Sequence, residues 1–243
     1  MFNYTMQKFR RKLGIRNRIK FLINRPMTTS EAIANNCNLY LGNLTQDLPQ
    51  YSKGNFVGLA LSRISDRDLL LDLRGKLPFE DESVVKIQAE DVLEHLDFED
   101  CITLLNECFR VLIPGSGVFR ISVPDYRSSV LKKRSVYDSN GFILGDLLTS
   151  TEVLYCNKCQ GISVSKSLDG NSHQWFPEIE SVRKLIALSD FNFSSAKFYQ
   201  YYGDDDLPVT EKYPDLDMPV SRTPPNDMRA GGLPISIVCD LQR

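Results

Sequence analysis

Apolar runs of strand length recur along the chain, at Cys37–Leu41, Phe56–Leu61, Leu69–Leu73, Val84–Ala89 and Val118–Val123. Between the last two, Glu99–Leu112 sets Ile102, Leu105, Cys108, Phe109 and Leu112 at helical spacing. Pro114-Gly115-Ser116-Gly117 stops that helix and opens the next strand. A strand–helix–strand unit of this kind joins parallel strands by a right-handed crossover. Farther along, Arg127–Lys133 and Gly141–Val153 predict short helices, the second covering the site. Glu178–Leu188 predicts a helix with Ile179, Val182, Leu185 and Ile186 on one face. Asn192–Tyr199 and Ile235–Leu241 predict a sixth and a seventh strand. The connection 203–234 is acidic and proline-rich, and a loop of that length is more often functional than incidental.

Composition narrows this picture. With 243 residues, the simplest arrangement is one large domain with an extension: a basic N-terminal segment at 1–30 and an α/β domain at 31–243. The net charge of −2 gives no reason to expect nucleic acid. No apolar run is long enough to span a membrane. The first 26 residues interleave Lys8, Arg10, Arg11, Arg16 and Arg18 with Phe9, Leu13, Ile15 and Ile19. They read as a solvated helix packed on the domain or, alternatively, as a contact with a membrane surface or protein. They lack the apolar core of a signal peptide, so the expectation is a cytoplasmic protein, with a peripheral membrane position as the alternative. The six cysteines show no framework spacing and read as reduced thiols. Cys156 and Cys159 form a lone C-x-x-C, too few ligands for structural zinc.

One ordered series stands out: Leu77-Pro78-Phe79-Glu80-Asp81, then Leu93-Glu94-His95-Leu96, then Arg110-Val111-Leu112 with Pro114-Gly115 and Gly117, then Arg120 through Asp125. The series resembles the class I S-adenosylmethionine-dependent methyltransferases, in particular small enzymes associated with glycan modification. The resemblance covers roughly the middle half of the chain. It implies a doubly wound, mostly parallel seven-stranded sheet with an antiparallel last strand, the Rossmann-like methyltransferase fold. It also implies S-adenosylmethionine bound at the carboxyl ends of the strands, where strand order reverses. The residues it places there are Leu41, Gly42, Asn43, Ala60, Asp72, Leu73, Ala89 and Glu90.

The sequence departs from the family at several of these positions. The first turn keeps Gly42 but has Leu44 where a second glycine is usual, and leucine disfavours positive φ. The acid expected to hold the ribose is replaced by Ala60, and the fourth-strand acid by Val85. Asp72 can serve the adenine end or cap the bend at Arg74-Gly75. Each lost hydrogen bond to a buried hydroxyl costs about 1–3 kcal/mol.

Asp91, Glu94 and His95 have i, i+3, i+4 spacing. With His173 they form a candidate set for a divalent ion such as Mg²⁺ or Mn²⁺, an arrangement like one that some methyltransferases of this class carry. The alternative is a capping Glu94 and a satisfied half-buried His95. Without metal, His95, His173 and Asp125 are the candidate bases, and Asp125 can instead cap the next helix. Two functions follow. One is methyl transfer to a hydroxyl or carboxyl group of a small or glycan acceptor. The other is a methyltransferase-like module that binds or assembles without catalysis. An open crevice at Gly42, Asp72 and Ala89 favours the first, and Leu44 filling it favours the second.

Overall fold

The computed structural model describes residues 26–149, 172–224, 227 and 231–243, and the backbone of 152–156 and 161–165. The basic segment 1–25 and the C-x-x-C residue Cys159 lie outside the described residues. Among the described residues, Met27 N–H donates to Asp66 O.

The apolar runs form five strands of one eight-stranded sheet, four of them interior and the third at its edge. Its strands are β1 (Asn38–Leu41), β2 (Phe56–Ala60), β3 (Asp68–Leu70), β4 (Lys86–Glu90), β5 (Val118–Pro124), β10 (Ala196–Tyr202), β11 (Pro208–Thr210) and β12 (Ser236–Gln242). The order is β11-β10-β12-β5-β4-β1-β2-β3. The pairs β3–β2, β2–β1, β1–β4 and β4–β5 are parallel. β12 runs antiparallel between β5 and β10, as expected of the last strand. The eighth strand, β11, extends the edge within the connection that the pattern left open. Strand order reverses between β1 and β4, which puts the ligand crevice of such a sheet at their carboxyl ends.

The helices are α1 (Thr29–Ala34), α2 (Pro49–Lys53), α3 (Phe98–Val111), α4 (Ser129–Lys132) and α5 (Ile179–Ala187). Thr28 caps α1 in a reciprocal box with Glu31. α3 buries Leu104, Leu105, Cys108 and Val111, and α5 buries Val182, Leu185 and Ile186. Both sets belong to the core that contains Ile87, Ala89, Phe119, Ile121 and Val123 of β4 and β5.

The opposite face of β4 and β5 carries polar residues and is closed by the 213–224 strap. Buried Arg120 holds Asp240 with two bonds of 2.7 Å and donates to the carbonyls of Met218 (2.6 Å) and Pro214 (2.8 Å). Gln50 and Gln88 both donate to Pro219 O, at 2.8 and 2.9 Å. The long connection therefore serves as a cover for the sheet. Its acidic triplet is also engaged, Asp204 with Arg127 and Asp206 with Lys132.

The helix predicted over Gly141–Val153 is not formed. Its place is taken by a hairpin of β6 (Ser135–Tyr137) and β7 (Ile143–Asp146), followed by β8 (Glu152–Cys156), which pairs with β9 (Gly161–Ser165). The reason is local. Gly141 has φ +86°, and the Asp138 carboxylate accepts from the N–H groups of Asn140 and Phe142, which closes a turn at Asn140-Gly141.

Candidate active site

The end of β1 turns sharply. Gly42 has φ +107°, a conformation that favours glycine, and its N–H donates to Leu59 O. The turn is held by Asp68, a fully buried carboxylate that accepts from Leu44 N (2.8 Å), Asn43 Nδ2 (3.1 Å), Ile64 N (2.9 Å) and Ser65 N (2.9 Å). Gly58 makes this possible, because a Cβ there would lie 2.2 Å from Asp68 Oδ1 and 2.8 Å from Leu44 N. Leu44 points away into a cluster with Tyr40, Phe56 and Met218. It does not fill the site.

What remains open is a crevice of about 330 Å³, walled by the ends of β1 and β2, the turn after β3 and the segment after β4. The volume falls in the range of small-molecule and cofactor sites, roughly 300–1,000 Å³. Gly42, Asn43, Ala60, Ser62, Asp72 and Leu73 line it together with Val92, His95 and Gln174.

At the His95 rim a buried cluster begins. The turn Leu93–His95 follows β4, and the segment 172–175 folds against it. Gln174 N donates to Glu94 O at 2.7 Å, and Trp175 Nε1 to Leu93 O at 2.9 Å. Glu94, His95 and His173 meet there with their ligand atoms within 4.8 Å of one another. The Nε2 atoms of His95 and His173 each lie 3.9 Å from Glu94 Oε1. Burial pushes the Glu94 carboxyl well above its usual range, and the nearby Asp91 charge adds to this. Burial likewise pushes His173 down to about 3 and lowers His95. Behind His173, the Tyr126 hydroxyl lies 2.6 Å from Nδ1 and 2.7 Å from Asp146 Oδ2, and Arg134 Nε donates to that same oxygen at 2.7 Å.

The family described as "Methyltransferase domain" matches residues 43–119, about a third of the chain. Residues 43–119 of this chain are similar to that family. No curated protein matches it. Among solved structures, an S-adenosylmethionine-dependent methyltransferase from Mesorhizobium loti is 14% identical, with 85% of this chain and 90% of that one covered and a TM-score of 0.46. An S-adenosylmethionine-dependent methyltransferase from Archaeoglobus fulgidus is 12% identical over 100% of both chains, with a TM-score of 0.46. One from Clostridium acetobutylicum is 11% identical, covering 95% and 98%, with a TM-score of 0.43.

The residues picked from sequence fall into two groups. Gly42, Asn43, Ala60, Asp72, Leu73 and His95 line the crevice. Asp72 is also gripped by Arg74 through Nε and Nη2, so its carboxylate closes the bend as the alternative reading has it. Leu41 and Ala89 are instead core residues of β1 and β4, since strand alternation turns them into the sheet. Glu90 faces the strap, where its Oε1 accepts from Ser221 N and Arg222 N. Burial and the neighbouring Asp91 lift its pKa to about 7. Asp91, expected beside Glu94 as a metal ligand, has φ +54° and pairs with Arg222 at 2.5 Å. The reason is that residues 91 and 92 are not helical, so the assumed i, i+3 face does not form. Asp125 is fully buried, and its two oxygens accept from Arg127 N and Tyr202 N. Sequence reasoning passed over Ser62, Gln174 and Tyr126, whereas Asp68, an acid directly before an apolar run, was open to it as a compensating group beside Asn43 and Asp66.

Proposed function

We propose that this methyltransferase domain uses S-adenosylmethionine, bound in the crevice at Gly42, Ala60 and Asp72, to methylate an oxygen of a small-molecule or glycan acceptor. The observation that carries this reading is the open crevice at the strand-order reversal, with Leu44 packed away from it. The sulfonium supplies the methyl group: the S–CH3 bond breaks with its electron pair going to sulfur as the O–CH3 bond forms. The chain has to position the acceptor in line and remove its proton. Removal falls to the Glu94–His95–His173 cluster, which reaches the crevice through His95. Asp125 has both oxygens occupied by backbone amides, so the base role does not go to it. The divalent cation of the same reading is proposed for Glu94, His95 and His173, without Asp91. An acceptor carrying a hydroxyl or a carboxyl group fits this chemistry. We also propose residues 1–25 as a contact for a protein or membrane surface, on their charge pattern alone.

Calorimetric titration with S-adenosylmethionine and S-adenosylhomocysteine tests the reading. Micromolar binding is expected, weakened at least tenfold in Ser62→Trp, which fills the crevice from an exposed position. Absence of binding at millimolar cofactor to a folded sample refutes the enzyme and returns the choice to a non-catalytic binding module.

A further inference from the structure

The hydrogen bonds around the two histidines fix where their protons sit. Tyr126 has one hydroxyl proton and two neighbours, the Asp146 carboxylate at 2.7 Å and His173 Nδ1 at 2.6 Å. A carboxylate bound to Arg134 only accepts, so the hydroxyl proton goes to Asp146. The 2.6 Å contact with His173 then requires a proton on Nδ1, donated to the tyrosine oxygen. In the buried, neutral ring this leaves Nε2 with a bare lone pair. His95 is set in the same way, because its Nδ1 lies 3.2 Å from the Ser172 carbonyl, which also only accepts. Its Nε2 too is bare.

Both bare nitrogens face Glu94 Oε1 at 3.9 Å. Glu94 is 1% exposed at its side chain, and neither of its carboxylate oxygens has a hydrogen-bond partner among the described residues. Three electron-pair donors thus converge on one point, an arrangement that a bound cation would satisfy. Histidine ligands held through the opposite ring nitrogen by a carbonyl, carboxylate or hydroxyl are the usual support of a metal centre.

We infer that Glu94, His95 and His173 form a three-ligand seat for a divalent transition ion of the zinc or cobalt class, oriented by Tyr126 and Asp146, with its fourth position open toward the crevice. Two imidazoles and one carboxylate suit these ions better than Mg²⁺, which prefers oxygen ligands and retains its waters. Zn–ligand distances of 2.0–2.2 Å place tetrahedral ligand atoms about 3.4 Å apart, so the two 3.9 Å separations to Glu94 would close by about 0.5 Å and any separation nearer the 4.8 Å limit by more. This deepens the proposed chemistry, since an acceptor hydroxyl on the open position would lose its proton more readily. It can fail or stand without it, because the seat needs no S-adenosylmethionine.

The experiment is titration of the chelator-treated full chain with Co²⁺, followed by visible absorption, and with Zn²⁺, followed by calorimetry, both without cofactor. One equivalent is expected to bind, with the cobalt bands of a nitrogen–oxygen site, and Mg²⁺ at the same concentration to give no heat. Glu94→Gln and His173→Ala should each weaken binding on the order of 100-fold. Tyr126→Phe, which keeps all three ligands, should weaken it roughly 10- to 100-fold as a positioning change. Circular dichroism of each apo variant confirms folding. No binding by the folded wild-type chain, or binding unchanged in His173→Ala and Glu94→Gln, overturns the proposal. Cobalt bands with thiolate character overturn it also, since they would place the ion at cysteine.

Discussion

The two faces of β4 and β5 are closed by opposite means. One is covered by α3 and α5 through aliphatic and aromatic side chains. The other is covered by an irregular strap whose backbone carbonyls are met by Arg120, Gln50, Gln88 and Lys86. A helix satisfies its own backbone and needs only an apolar stripe to dock. A strap has no internal ladder, so the sheet must supply its partners. The alternating polar residues of β4 and β5 are therefore the complement of an irregular cover.

The sharpest way to break this contrast is at Arg120. Arg120→Ala leaves Asp240 buried and unpaired and strips the carbonyls of Pro214 and Met218. Urea unfolding should show a loss of about 3–5 kcal/mol. On the other face, Leu105→Ala should cost about 2–5 kcal/mol through a cavity alone. The paired replacement Arg120→Met with Asp240→Leu separates the two logics. If the polar face were merely an ion pair, stability would return to near wild type. We expect only partial recovery, because the strap carbonyls still lack donors. Asp68→Ala carries the comparison to the β1 turn. Releasing three backbone amides and the Asn43 side chain should cost about 1–3 kcal/mol and weaken S-adenosylhomocysteine binding by roughly tenfold or more, read by denaturation and calorimetry on the same sample.

The smallest effect is a pH slope. Burial lifts Asp125 to about 6 from its ordinary 3.8. The folded chain thus holds this proton more tightly than the unfolded chain does. The contribution of Asp125 to stability falls as pH rises from about 4 to about 6 and is level above. Asp125→Asn removes that dependence, so the difference in unfolding free energy between wild type and variant should change across this window and stay constant from pH 7 to 8. A constant difference throughout would show that Asp125 titrates normally.

Much of the central sheet was legible because strands buried on both sides read as short apolar runs, and α3 and α5 carry clear stripes. Lys86, Gln88 and Arg120 inside those runs also announced a polar face, a signal the apolar count passes over. The hairpin at Ser135–Asp146 was missed because Phe142, Leu147 and Leu148 mimic a helical stripe yet stand exposed. Asn140-Gly141 was the better guide. At the site, the loss of the second glycine looked harmful on paper. It is absorbed because Leu44 packs on the far side and Asp68 takes its amide. That exchange depends on two loops distant in sequence, which no local pattern encodes. The grouping of Glu94, His95 and His173 was visible in the sequence, but Asp91, counted with them, is turned by its backbone toward Arg222.

The place of β12 has a consequence for how the molecule assembles. It pairs with β5 along its whole length, from Ser236 opposite Pro124 to Gln242 opposite Val118, and it also separates β5 from β10. Until that late segment arrives, β5 is an open edge rich in Val, Ile and Phe, and β10 with β11 has nothing to join. The parallel half of the sheet can form from nearby segments, whereas the other half waits on a long-range closure. Folding should therefore proceed in two stages, with the slower one set by β12, and the interval between them is when the chain is most open to edge-to-edge association.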